Sequence, residues 1–154
     1  MAAPKKKKKK IIGITGKKGE GKTSIVQVMT YLLSIHGYET TILNFADYIK
    51  QIARECFGKN IGNIHGKLDQ QDRELLCKIC DALRSIDGDC LVKVVARKIE
   101  KSKGIVIIGD VRLQREANMI REYGGILVRV CSEVYRRKEA YLQNNLTEKE
   151  ISDL

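Results

Sequence analysis

Ile11-Ile12-Gly13-Ile14-Thr15-Gly16-Lys17-Lys18-Gly19-Glu20-Gly21-Lys22-Thr23 is an apolar run followed by a complete G-x-x-x-x-G-K-T loop. The run is short and rich in isoleucine, which predicts a strand, and from Lys22 onward the apolar positions turn to helical spacing. The loop therefore joins a strand to a helix, and that context gives it a mechanism. Glycines let the backbone curl until several N–H groups face one point, and the helix N-terminus adds partial positive charge there. Gly16, Lys17, Lys18, Gly19, Glu20, Gly21, Lys22 and Thr23 read as a cradle for the phosphates of a nucleoside triphosphate. Lys22 is expected on the terminal phosphates and the Thr23 hydroxyl on Mg²⁺. ATP and Mg²⁺ are the expected cofactors.

Outward from the loop, strands and helices alternate. Ile25, Val26, Met29, Leu32 and Leu33 recur at helical spacing until Gly37, and Thr40 to Asn44 reads as a second strand. A helix is expected from about Asp47 to Phe57, then a loop over residues 58–66. Asp69 is a plausible N-cap for a helix carrying Leu75, Leu76, Ile79, Cys80 and Leu83, broken at Asp87-Gly88-Asp89. Another helix follows to about Lys101. Residues 104–109 form a continuous apolar run, as expected of a strand buried on both faces. A helix over residues 114–123 stops at Gly124-Gly125, and Ile126 to Val130 is the fourth strand. A charged helix follows over residues 133–142, and Thr147-x-x-Glu150 is a capping box opening a last one. This alternation predicts an α/β domain, mainly a parallel sheet with helices on both faces. The domain is expected over residues 11–154, behind a basic tail over residues 1–10.

Composition narrows the setting. The 154 residues fit one domain, and a hydrophobic share of 43 % with 5 % aromatics calls for an aliphatic core. No stretch has the length or apolarity of a membrane span, so a soluble, cytoplasmic protein is expected. Cys56, Cys77, Cys80, Cys90 and Cys131 are odd in number and sit in apolar segments, which predicts reduced thiols. Cys77-x-x-Cys80 lacks a second ligand pair for zinc and is read as core packing. The net charge is +10, and Lys5 to Lys10 supply six of the positives. That run is read first as a solvated tail; a nuclear-localisation signal or a nucleic-acid tether is the alternative. A homodimer is compatible with the sequence.

Phosphoryl transfer needs more than a phosphate cradle: a carboxylate to hold the metal, and positive charge on both donor and acceptor phosphates. Asp110 follows the buried strand at the sheet edge where ligands bind in open α/β folds, and is the candidate metal ligand beside Thr23. Arg112, two residues on, suits a phosphate through its planar fork. Arg73 and Arg84, after the glycine-rich loop, are candidate phosphate clamps. Arg136 and Arg137, on the charged helix, are candidates for a lid that closes over the triphosphate.

Four segments give the chain a likeness: Ile12 to Thr23, Phe45-Ala-Asp-Tyr-Ile-Lys50, Leu83-Arg-Ser-Ile-Asp-Gly-Asp89, and Asp110-Val-Arg-Leu-Gln-Arg-Glu-Ala-Asn-Met-Ile-Arg-Glu-Tyr-Gly-Gly-Ile-Leu-Val-Arg129. It resembles the deoxynucleoside monophosphate kinases best known from bacteriophages, a branch of the P-loop kinases. The resemblance implies a three-layer fold with strand order 2-3-1-4 and transfer of the ATP γ-phosphoryl to a (deoxy)nucleoside 5′-monophosphate, the expected partner. By position it implies Lys22 and Thr23 as donor-phosphate and Mg²⁺ residues. Asp47 and Lys50 would fall on the acceptor side, with Arg73, Arg84 and Arg112. The catalytic set it implies is Lys22, Arg84, Asp110 and Arg112. Leu113-Gln-Arg-Glu116 stands where the family usually has Phe and then Pro-Asn-Glu. Cys90-Leu91 replaces the usual Trp. The family also continues past its lid helix to a further strand and an adenine-contacting loop, and Leu154 comes before both.

Two other readings compete. Lys17 at the loop's second position also occurs in dimeric deviant-loop ATPases, although those carry a glycine where Lys18 stands and a D-x-D where this chain has Asn44-Phe-Ala-Asp47. A non-catalytic nucleotide-binding protein, tethered to nucleic acid by Lys5 to Lys10, is the other.

Overall fold

The computed structural model describes residues 9–59 and 70–133. Among these residues nine elements follow one another: β1 (Ile11–Thr15), α1 (Lys22–Ile35), β2 (Thr40–Leu43), α2 (Phe45–Phe57), α3 (Gln70–Ile86), α4 (Cys90–Lys101), β3 (Ile105–Val111), α5 (Gln114–Glu122) and β4 (Ile126–Arg129). The strands form one sheet in the order β2-β3-β1-β4, and every neighbouring pair is parallel. The expected α/β architecture and strand order hold. The candidate lid residues Arg136 and Arg137, the capping box at Thr147, most of the loop over residues 58–66, Asp69 and residues 1–8 lie outside the described residues.

Burial explains the layers. Ile105, Val106, Ile107 and Ile108 are all buried, as a central strand covered on both faces requires. On one side Val106 and Ile108 join Phe45, Ile49 and Ala53 of α2, Val95 and Ile99 of α4, and Met119 and Ile120 of α5. There α3 adds Ile79 and Cys80. On the other side α1 packs Val26 onto Ile14 and Ile107. Burying each such aliphatic side chain stabilises the fold by about 1.5–3 kcal/mol. Gly13 allows α5 to approach β1 closely: a Cβ there would lie 2.5 Å from Ile120 Cδ1 and 2.8 Å from Leu127 Cδ2.

Two expectations, on the end of the third strand and on Cys77, are corrected, and two further features went unread. Of the apolar positions on α1 only Val26 is buried, while Ile25 and Leu32 are 37 % and 47 % exposed. From Thr23 to Ile35 this helix has no charged residue, so its pattern marks no single inward face. The third strand runs past residue 109 because Val111 still pairs with Thr15 after a register shift in β1, and Asp110 therefore lies inside β3. Cys80 is in the core but Cys77 is exposed, so core packing accounts for only one of that pair. Two residues before Ile11 also touch the fold. Lys9 Nζ donates to the carbonyl of Ser102 at 2.8 Å, at the C-terminus of α4, where a cation complements the helix dipole. Lys10 lies 5.6 Å from the centre of the Tyr38 ring, a cation–π contact.

Candidate active site

At the C-terminal edge of β1 the chain turns through Gly16 at φ 149°, where a Cβ would come within 2.6 Å of the Val130 carbonyl oxygen. No other residue fits that turn without moving backbone. Gly21, left-handed at φ 86°, then starts α1, and no side chain caps the helix. The first-turn N–H groups of an uncapped helix are a ready anion site. Lys22 Nζ donates to the carbonyls of Gly16, at 2.8 Å, and Lys17. This contact folds the lysine back over the loop. Thr23 is exposed in the same first turn.

Charge converges on Lys22 from the neighbouring strand. Burial and the Arg112 guanidinium lower its pKa, while the carboxylates of Glu20 and Asp110 act in the opposite direction. The structure thus brings together the loop, Asp110 and Arg112. Among the described residues the Arg112 guanidinium has no hydrogen-bond or ion-pair partner, which leaves its fork open to an anion. Its backbone N–H, by contrast, is fixed by Glu116 Oε2 at 2.7 Å.

Asp110 has a structural task as well. Its two oxygens accept the N–H groups of Phe45 at 2.8 Å and Ala46 at 2.9 Å, the orphan donors at the start of α2. That is why α2 begins at Phe45 and not at Asp47. Burial pushes the Asp110 carboxyl above the usual carboxylate range, and the two N–H bonds, which favour the charged form, offset this only in part. Asp47 adds negative charge to the same corner and accepts from Asn44 Nδ2 at 3.1 Å.

The remaining acceptor-side candidates are more dispersed. Lys50 is half-buried one turn along α2. Arg73 and Arg84 lie on α3, and among the described residues no hydrogen bond or ion pair ties either to the loop. One carboxylate escaped the sequence reading, and a second was read without its bonding role. Glu116 is 3 % exposed and accepts the N–H groups of Arg112 and Leu113, which fixes the start of α5. Its signal was its place at the third position of that helix. Glu20, 6 % exposed, was read only as a loop member. Among the described residues no group of three or more His, Cys, Asp and Glu side chains could hold a metal ion by itself.

Fold and loop together define a class: a parallel α/β domain with a phosphate-loop sequence between its first strand and first helix. No family model matches the chain. Over 145 residues it is 27 % identical to a protein of Acanthamoeba polyphaga mimivirus described as "Putative deoxynucleotide monophosphate kinase", across 78 % of this chain and 72 % of that one. Among solved structures it is similar to APE1195, at 23 % identity over 94 % of this chain and 74 % of that one, with a TM-score of 0.47. It is also similar to a mutant of the Mycobacterium tuberculosis APS kinase CysC, at 15 % identity over 80 % and 74 %, with a TM-score of 0.43. Structural likeness at that level does not define the site.

Proposed function

We propose that this chain transfers the γ-phosphoryl group of ATP to a (deoxy)nucleoside 5′-monophosphate, giving the diphosphate. The observation that carries the reading is the convergence of Lys22, Asp110 and Arg112, unpaired among the described residues, at the mouth of α1. The loop accounts for a triphosphate; a second cation beside it suits an acceptor phosphate. The likeness to the mimiviral protein supports the same chemistry.

In this reading the loop N–H groups and Lys22 hold the β- and γ-phosphates, and Arg112 orients the acceptor. The donor set fits Mg²⁺: Thr23 offers an exposed hydroxyl, and each Asp110 oxygen keeps a lone pair after accepting one N–H. Thr23 would hold the ion directly and Asp110 through water. Its chemistry would be to neutralise charge on the transferring phosphoryl group. Asp47 and Lys50 would face the acceptor, with Arg73, Arg84, Arg136 and Arg137 as further phosphate contacts.

With ATP, Mg²⁺ and each common NMP and dNMP supplied in turn, ADP formation is expected to depend on one class of acceptor. In Arg112→Ala the acceptor KM is expected to rise about ten-fold or more, with ATP binding retained. Turnover indifferent to every acceptor would refute the proposal.

A further inference from the structure

We propose that the Glu20 side chain is a clamp that holds the phosphate loop in its curled form before a nucleotide arrives. This positioning role rests on reading Gly16–Thr23 as the donor cradle. Lys17, Lys18, Gly19 and Gly21 are exposed, yet Glu20 between them is 6 % exposed. A glutamate in an exposed cationic loop would ordinarily turn to water. Here its Oε2 instead accepts the backbone N–H of Lys17 at 2.5 Å. Lys17 is the second residue of the loop and Glu20 the fifth, so the bond ties one limb to the other across Lys18-Gly19. The backbone contact from Glu20 N to Lys17 O, at 3.4 Å, closes the same turn more loosely.

The surroundings fit a clamp. A Cβ on Gly16 would lie 2.9 Å from Glu20 Oε2, so the glycine leaves room for the carboxylate as well as for the turn. Lys22 bonds the carbonyls of Gly16 and Lys17, the same limb that the carboxylate holds. Its ammonium supplies the nearby positive charge that a buried carboxylate requires. The loop is thereby closed upon itself by side chains at its fifth and seventh positions. A loop already in its bound shape loses less freedom when the phosphates enter, which favours affinity more than the chemical step. Glutamine keeps an acceptor oxygen on a side chain of the same length, whereas alanine removes it.

The test compares Glu20→Ala and Glu20→Gln in the full chain. ATP affinity is read by displacement of a fluorescent ATP analogue, and kcat is read at saturating ATP. Alanine is expected to weaken ATP binding about ten-fold while kcat changes by less than about three-fold, and glutamine to restore binding to within about three-fold of the parent. Alanine binding ATP as tightly as the parent, or glutamine losing as much as alanine, would overturn the clamp. Amide hydrogen exchange at Lys17 in the nucleotide-free parent protein needs no variant: protection is expected, and exchange at the rate of an open loop would overturn it. If the parent chain bound no ATP, the donor-site reading itself would fail, while exchange at Lys17 would still decide on the clamp.

Discussion

Asp110 shows how one side chain can serve the fold and also stand at a proposed site. It starts α2 through the N–H groups of Phe45 and Ala46, and it stands within electrostatic reach of Lys22. Because burial raises its pKa, the folded protein holds its proton more tightly than the unfolded chain does. Its contribution to stability is therefore full below the ordinary carboxylate pKa of about 4 and declines as pH rises through the raised value. Chemical denaturation of the parent and Asp110→Asn across that range should show a stability difference between them that moves against the parent as pH rises. Mg²⁺-dependent turnover should also be lost in the variant. Tyr123 offers a second case at alkaline pH. Its hydroxyl donates to Glu100 Oε1 at 2.8 Å, and burial, then that bond, push its pKa up to about 12. The stabilisation it gives is full below about pH 10 and is lost as pH rises toward 12. Tyr123→Phe is expected to lower stability at neutral pH by about 1 kcal/mol, measured by urea unfolding.

Elements differ in how plainly their sequences declare them. The continuous, β-branched apolar run at Ile105–Ile108 read plainly as a doubly covered strand, and both of its sides are buried. The first helix was legible as a helix but not in its orientation, because apolar residues surround it. Val26 faces the sheet while Val28, Tyr31 and Ile35 are exposed. Which side packs was decided by the sheet, whose Ile14 and Ile107 meet Val26. The two faces should respond differently. Ile99→Ala, in the core of α4 at 0 % exposure, is expected to cost about 2–5 kcal/mol. Leu32→Gln on α1 should stay within about 0.5 kcal/mol in the same thermal or urea measurement. Helix starts were the least legible feature. What fixes α2 is a carboxylate 65 positions along the chain from Phe45, and no local pattern contains that information.

At the scale of the whole molecule, the loop motif was legible because its chemistry is local: eight consecutive residues carry it. The proposed acceptor side was harder to read because Asp47, Arg84 and Arg112 belong to separate helices and loops whose approach depends on packing. The lysine run was read as a tail, and its last two members touch the fold at the end of α4 and at the Tyr38 ring. Neutral substitutions at Lys5 to Lys8, which spare those anchors, should leave acceptor-dependent turnover unchanged; a protein acting through a nucleic-acid tether would lose its function instead. The central claim is that the loop donates to a nucleotide and not to water. It is tested most directly by following the γ-phosphoryl label of ATP in the presence of Mg²⁺ and a panel of NMPs and dNMPs. The account predicts label in the β-position of a nucleoside diphosphate made from one class of acceptor, and none of that product in Lys22→Ala. Label released only as inorganic phosphate, at a rate independent of every acceptor, would contradict it.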